Sequence, residues 1–577
     1  MGPTAASSDA FEAPGQHKPA GAENSRLLLH HGLLSLATAL TFSRALPYPL
    51  QRSWDDGRFI VDNPLVQEIS LANLAAIFAR PHFEAYHPLH LLSYWLDVPW
   101  VGPDGPTLHA TNLLLWIATA NLLLMALRRM GLSAPAALIG ALLCALHPAQ
   151  VEVVSWATGR KDILAMAFVA AAMALHLRSE RFGDRPAWGS RACYLAALLS
   201  KTTAIPLPLA LLAIDRALIG RSFGKSLRHQ LPNLLMATTA AIAVVFQWRH
   251  NQMLRGGEAG ALATVERFVA TVGHQLATAL WPAANSPMYH SHGLSASPVD
   301  WLLTSGLLLL SVAGLRARVP GPGLGAALAL FFLLPVSNLV PMYFPLQDRY
   351  LSLPLLGLAL ALASALDGPG GGSGLLRRAP VWLSLLAAAA LALRSVGYQA
   401  VWSDELRLWG HAVHTRPDAY YAWMKLGELR RDAGRLDGAV AAYGRMVQLQ
   451  PRIKLGHAAL MQAVVLRDQA RRGDRAAESA QAEVFASRYH AVLDSAPGLR
   501  PLAAEMLVAG YTDAALLALE RALQLEPVAD ETLERAAAIQ LQAGRAKVAR
   551  FYLSRMGRPP RDPRLQALTA RSSDGAH

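Results

Sequence analysis

Cysteine is nearly absent from the 577 residues: only Cys144 and Cys193 occur, both inside apolar stretches, which excludes a disulfide framework. Charge is scarce too. Asp, Glu, Lys and Arg make up 16% of the chain against 53% hydrophobic residues, and mean hydropathy is +0.26. That balance excludes an ordinary soluble enzyme and suits a chain that crosses a membrane many times. No phosphate-cradling loop is present, because the glycines at 368–374 lack both the GK[ST] ending and a preceding strand. No nucleic-acid motif stands out either. The net charge of +13 comes from Lys and Arg clustered in short loops between apolar runs, which is the positive-inside pattern rather than a nucleic-acid surface. Residues 27–50 are too long, and too poorly marked by a cleavage site, to be a removed leader.

What is there, above all, is apolar runs. Candidate crossings are 27–50, 107–127, 134–148, 162–178, 232–248, 300–315, 323–340, 350–366 and 380–398. Residues 192–214 are apolar but broken by Ser200-Lys201-Thr202-Thr203, Pro206 and Pro208. They are too short for two crossings of a hydrocarbon core roughly 30 Å thick. The basic loops (Arg128/Arg129, Arg178 to Arg191, Arg216 to Arg228, Arg316/Arg318, Arg377/Arg378) share one side only if 192–214 enters and leaves by that side. We therefore expect two short helices meeting at Lys201 near the far face. The expectation is an all-α chain with about nine full spans plus the short pair, eleven helices in all, behind a disordered cytoplasmic segment 1–26. The non-cytoplasmic side then receives 51–106, 149–161, 249–299, 341–349 and everything after 399. Within 249–299, the amphipathic stretch Val265 to Leu280 is expected to lie in the membrane interface.

After Ala400 the composition becomes soluble and helical. Trp423, Leu426-Gly427, Gly434, Ala439, Tyr443 and Pro451 follow the tetratricopeptide spacing, with Pro417 about 34 residues before Pro451. A second unit ends in Gly510, Ala515, Ala522 and Pro527, and a third carries Gly544 and Ala549. The stretch 454–500 reads as a degenerate repeat. Stacked helix pairs of this kind make concave peptide-binding surfaces.

The unusual polar residues fall in the outer loops. Asp55-Asp56 follows the first apolar run, and two adjacent carboxylates at a bilayer surface have few bland uses. Glu152, Arg160, Lys161 and Asp162 lie in the next loop, after His147-Pro148. Lys201 sits inside an apolar stretch, and Asp348-Arg349 opens another. A charge near a span is expensive, which makes each a candidate for function. A site that transfers a group from a lipid phosphate needs a base for the acceptor hydroxyl and cations for the departing phosphate. Asp55 is the base of choice, with Asp56 supporting it or binding a metal, and the reverse order stays open. Arg160, Lys201 and Arg349 are the candidate phosphate ligands. Glu152, Asp162, His147, His87 and Asp348 are candidate supporting residues.

The order of these motifs resembles the C-type (GT-C) glycosyltransferases. Within them it looks most like the transmembrane-and-tetratricopeptide (TMTC) protein O-mannosyltransferases and their bacterial relatives. The likeness rests on Asp55-Asp56 with Ile60 and Asn63-Pro64, Tyr86-His87-Pro88-Leu89 with Ser93, and Gly105, His109 and Asn112. It continues through His147-Pro148, Glu152, Trp156, Arg160-Lys161-Asp162, Ser200-Lys201, Pro335-Val336-Ser337-Asn338 and Asp348-Arg349-Tyr350-Leu351. The chain departs from the family at His87, where Arg is usual, at Thr202, where an acid follows the Lys, and at Ser352, where Tyr is usual. The resemblance implies a membrane glycosyltransferase domain over 27–399 and a repeat domain over 400–577 outside the cytoplasm. It implies transfer of a monosaccharide, mannose first, from a polyprenyl phosphate to Ser/Thr of an exported protein held by the repeats. A bacterial inner or plasma membrane fits that reading. A lipid or cell-surface glycan acceptor is the alternative, and a non-catalytic scaffold is a third reading.

Whether a divalent cation takes part is open from sequence. His290-x-His292 and the His87/His90 pair are two-ligand fragments, but neither carries the convergent Cys or carboxylate spacing of a metal site.

Overall fold

The computed structural model describes residues 20–83, 85–181, 187–250, 260–289, 294–317, 321–342, 344–367, 375–472, 478–527 and 529–573. Among them every regular element is helical, and the one β-type pairing is an isolated bridge between His82 and Ala85. Two compact units emerge. The first holds the chain to Asn285 and again Leu294–Ser403; the second holds Asp404 onward with Ser286–Gly293. The boundary falls a few residues beyond the expected 399/400. The last long helix, Leu375–Gln399, runs on into a tight turn that buries Trp402 completely.

Among the described residues seven helices of the first unit are long and apolar enough to cross a membrane: Gly105–Arg129, Ala157–Ser179, Thr202–Ile219, Phe223–His250, Pro298–Ala317, Asp348–Leu366 and Ala379–Ser403. The expected span 134–148 is shorter. Its helix covers Ala134–Ala145, 12 residues or about 18 Å at 1.5 Å per residue, and stops where Pro148 bars helical geometry for His147. The run 323–340 likewise gives only Pro322–Leu333 and a turn around Pro335. The expected first span 27–50 forms the helix Ala20–Phe42, after which a tight 3-10 turn, Ser43–Ala45, leads to Pro47 and Pro49, where helical structure stops.

The chain between Trp188 and Ile214 forms two helices, but the second is not the short half-crossing expected: with its flanking turns it makes Thr202–Ile219, 18 residues and apolar enough to cross a membrane. Trp188–Ser200 ends where Lys201 turns extended (φ −160°, ψ 132°), and a tight turn leads into Leu207–Ile214. Val265 to Leu280 lies within one helix, Ala261–Leu280. The Gly368–Gly374 linker and the first 19 residues lie outside the described residues.

The second unit is a succession of antiparallel helix pairs. They are Tyr420–Asp432 with Leu436–Leu449, Lys454–Arg472 with Glu478–Val492, Ala496–Val508 with Thr512–Leu525, and Asp530–Gln542 with Ala546–Leu553. Three of the turns hold Gly434, Gly510 and Gly544 at φ +69°, +82° and +75°, a region that side chains disfavour. Small and aromatic repeat residues fill the interior: Ala439, Tyr443, Ala515, Ala522 and Ala549 are wholly buried. The stretch 454–500 departs from expectation. It folds as a regular pair with a longer first helix, because Val464, Val465, Phe485 and Tyr489 supply the buried face that its missing turn signals do not announce.

Candidate functional site

The site is built around one turn. The helix Gln150–Ser155 gives way to Arg160–Arg181 through Trp156-Ala157-Thr158-Gly159. Gly159 packs so closely that a Cβ would lie 2.2 Å from the Val153 carbonyl oxygen, so only glycine fits. From below, Arg160 braces the turn. Its guanidinium donates to both carboxylate oxygens of Asp97 (3.2 and 2.6 Å), to Asn112 Oδ1 (2.7 Å) and to the Ser93 and Leu108 carbonyls. It also stacks 4.7 Å from the Tyr94 ring. Asn112 in turn donates to the Trp156 and Ala157 carbonyls.

The structure does not leave Arg160 open to a ligand, unlike the expectation: its side chain is 0% exposed and its donors meet Asp97, Asn112 and backbone carbonyls. Asp97, its partner, carried no signal in the sequence beyond being a carboxylate in an apolar neighbourhood.

Asp56 does comparable work from above. It is 0% exposed; its Oδ1 accepts from Thr158 backbone N (2.9 Å) and hydroxyl, and its Oδ2 accepts from Gln51 N (2.8 Å). Burial pushes its carboxyl up to about 6, against the pull of those hydrogen bonds. Gln51 also donates from Nε2 to the Trp402 carbonyl at 2.9 Å, so this clamp reaches the end of the last long helix. Asp55 points elsewhere: it is 32% exposed and meets Lys161 Nζ at 3.4 Å. Of the two acids whose order the sequence left open, Asp55 has the exposed side chain and Asp56 the buried one.

Two further ion pairs stand beside this one. Lys201 pairs with Asp162, and Arg349 with Glu152, whose other oxygen accepts from Arg349 backbone N at 3.0 Å. The fields of Lys161, Asp162 and Arg349 reach Lys201, and those of Asp55 and Asp162 reach Arg349, so the three pairs form one cluster. Trp156 lies at its centre. Lys161 is 4.9 Å and Arg349 5.3 Å from its ring centroid, and Trp54 meets it edge-on at 5.6 Å. Trp402 closes the back at 6.4 Å. Trp156 entered the sequence reading only as part of a motif, and Trp54, Trp402 and Thr158 were assigned no role there, because an aromatic near an apolar run signals only core.

The histidines divide. Burial and the nearby ammonium groups of Lys161 and Lys201 push His87 down to about 3, which places it, as a neutral imidazole, beside the cluster. His147 is occupied structurally. Its Nδ1 accepts from Ala149 N and its Nε2 faces the Ala279 carbonyl, both at 3.1 Å, which fixes the Nε2–H tautomer. His90 turns into the core, its Nε2 2.8 Å from the Tyr94 hydroxyl.

Asp348 is buried at the start of the Asp348–Leu366 helix. The Asn63 and Asn338 motifs are architectural as well. Asn63 caps a short helix by accepting from Leu65 N at 3.2 Å. Asn338 adopts φ +57° and spends its amide on Thr271 and the Pro345 carbonyl.

Among the described residues no group of three or more His, Cys, Asp or Glu converges as a metal site; His290 and His292 lie outside them. Comparison with known proteins finds no matching family model and no matching curated relative.

Proposed function

We propose that the first unit is a membrane-embedded glycosyltransferase that moves a monosaccharide, mannose first, from a polyprenyl phosphate to a Ser or Thr hydroxyl of an exported protein. One observation carries the reading: an accessible carboxylate, Asp55, stands in the same cluster as Lys161, Lys201 and Arg349. In this reaction the acceptor oxygen attacks the anomeric carbon, the bond from that carbon to the phosphate oxygen breaks, and the hydroxyl proton passes to Asp55. A positioned base contributes typically about 10²–10⁴-fold. The departing lipid phosphate takes the bonding pair, and Lys201 and Arg349 are the cations that hold it, with Lys161 joining them in the place expected for Arg160. Their side chains are only 10–11% exposed, which strengthens each interaction by excluding water.

Glu152 and Asp162 aim two of these cations, and Asp56 supports the turn rather than the chemistry. The successive helix pairs of the second unit are read as tetratricopeptide repeats that recruit the acceptor polypeptide on the non-cytoplasmic side.

The test is transfer of radiolabelled sugar from a polyprenyl-phosphate donor in membranes, with the parent and Asp55→Asn compared at equal insertion. Loss of at least about 10²-fold in Asp55→Asn supports the base, and the labelled fraction tells protein acceptor from lipid or glycan. Full activity in the variant removes Asp55 from the mechanism. Silence of the parent with every donor leaves a scaffold.

A further inference from the structure

The first two helix pairs of the second unit enclose a pocket of about 250 Å³. That is smaller than the roughly 300 Å³ at which small-molecule sites begin, and it is sized for one side chain. Its walls are apolar, from Met424 and Leu455, with Leu455 65% exposed at the rim. Glu428 and Glu483 bring carboxylates to it. Arg431, the one cation in the lining, is already engaged, donating to Asp432 at 3.0 Å and to Gln462 Oε1 at 3.0 Å. Glu428 receives Lys425 at 2.8 Å, whereas Glu483 has no ion-pair partner among the described residues.

The second observation is Tyr443. It lines the pocket, it is 0% exposed, and its hydroxyl has no hydrogen-bond partner among the described residues. Such an orphan is costly to bury, and a ligand that donates to it relieves that cost.

We infer that this pocket binds an extended polypeptide through one Lys or Arg side chain. The aliphatic stem lies along Met424 and Leu455, and the cationic head donates to Glu483, Glu428 and the Tyr443 hydroxyl. An acidic side chain meets two carboxylates there, and an apolar one leaves the hydroxyl and Glu483 unmatched. The inference goes beyond the transfer reaction and stands whether or not the first unit is an enzyme.

The experiment uses the full chain in lipid nanodiscs and fluorescent Gly/Ser/Ala peptides with Lys, norleucine or Glu at the centre, read by anisotropy. The Lys peptide is expected to bind at least about tenfold tighter than the other two. Glu483→Gln, at an exposed position, removes most of that preference. Tyr443→Phe keeps the ring packed against Gly427 and weakens the Lys peptide several-fold with helix content unchanged. Equal binding of the Lys and Glu peptides overturns the inference. So does the absence of binding by any of them at millimolar concentration, or a preference that survives Glu483→Gln. Sugar transfer by Asp55→Asn is scored separately, so the two proposals fail independently.

Discussion

Asp55 and Asp56 are neighbours in sequence and opposites in environment. Asp55 is 32% exposed and paired with Lys161 at 3.4 Å, while Asp56 is fully buried and accepts hydrogen bonds from Thr158 and Gln51. Helical geometry explains the split: consecutive side chains on one turn point about 100° apart, and the turn holding them begins at Asp55.

Stability should therefore separate the two acids. Asp56→Ala strands the N–H groups of Thr158 and Gln51 and is expected to cost about 2–6 kcal/mol, given about 1–3 kcal/mol per buried unsatisfied group. Asp55→Ala, at a half-open position, should change stability by less than about 1 kcal/mol. Thermal unfolding of both variants in detergent checks this, and equal losses would contradict the assignment of roles.

The same carboxyl predicts a pH dependence. Its folded-state value of about 6 lies above the ordinary 3.8, so the native protein holds the proton more tightly than the unfolded chain. The Asp56 contribution is therefore complete below about 4 and is lost as pH rises through about 6. Relative to Asp56→Asn, the parent should gain stability on acidification from pH 7 to pH 5. A difference between the two that does not change with pH would refute it.

The Arg160–Asp97 pair should act on folding, not on the donor. Asp97→Asn or Arg160→Gln leaves a buried charge unpaired, at about 3–5 kcal/mol. Arg160→Lys is also costly, because an ammonium cannot reproduce the two-pronged contact. Reduced insertion and a lower unfolding temperature are expected, with the KM for donor unchanged in whatever protein folds. A raised KM at normal stability would return Arg160 to the phosphate.

Arg349→Gln and Lys201→Gln should instead weaken transfer. Removing a cation that meets the phosphate in both ground and transition states raises KM for the lipid donor, and one that tightens as charge develops lowers kcat. Either change is expected at roughly 10–10³-fold in kcat/KM, in line with about 2–4 kcal/mol for one such contact. Steady-state kinetics over donor concentration separates the two cases, and an unaltered kcat/KM would remove both cations from donor binding.

Much of this was legible before any coordinates. Lys201 announced itself as a charge in an apolar stretch, and the break between two helices falls there. Asp55, Glu152, Lys161, Asp162 and Arg349 stood out as charges in loops beside apolar runs and in the motifs of the resemblance, and they cluster. What sequence did not separate was which charged residues are spent inside the protein. Arg160 and Lys161 are adjacent and chemically alike, yet one is sealed against Asp97 and the other faces Asp55. That difference depends on contacts 63 and 106 residues away, which no local pattern encodes. Helix length was misjudged for a related reason, since apolar composition continues past Ala145 while Pro148 ends the helix.

The three ion pairs carry a consequence for how any anion enters. Asp55, Glu152 and Asp162 balance Lys161, Lys201 and Arg349 one for one. At rest the cluster is electrically neutral and casts little field into the surroundings. Under the proposed reaction an arriving phosphate is not drawn in from a distance; it has to displace a carboxylate from a cation at close range. Such a site works by exchange of counter-ions. Its selectivity lies in how well a newcomer matches the guanidinium and ammonium geometry that Glu152 and Asp162 already occupy, and salt in the medium should alter the encounter little.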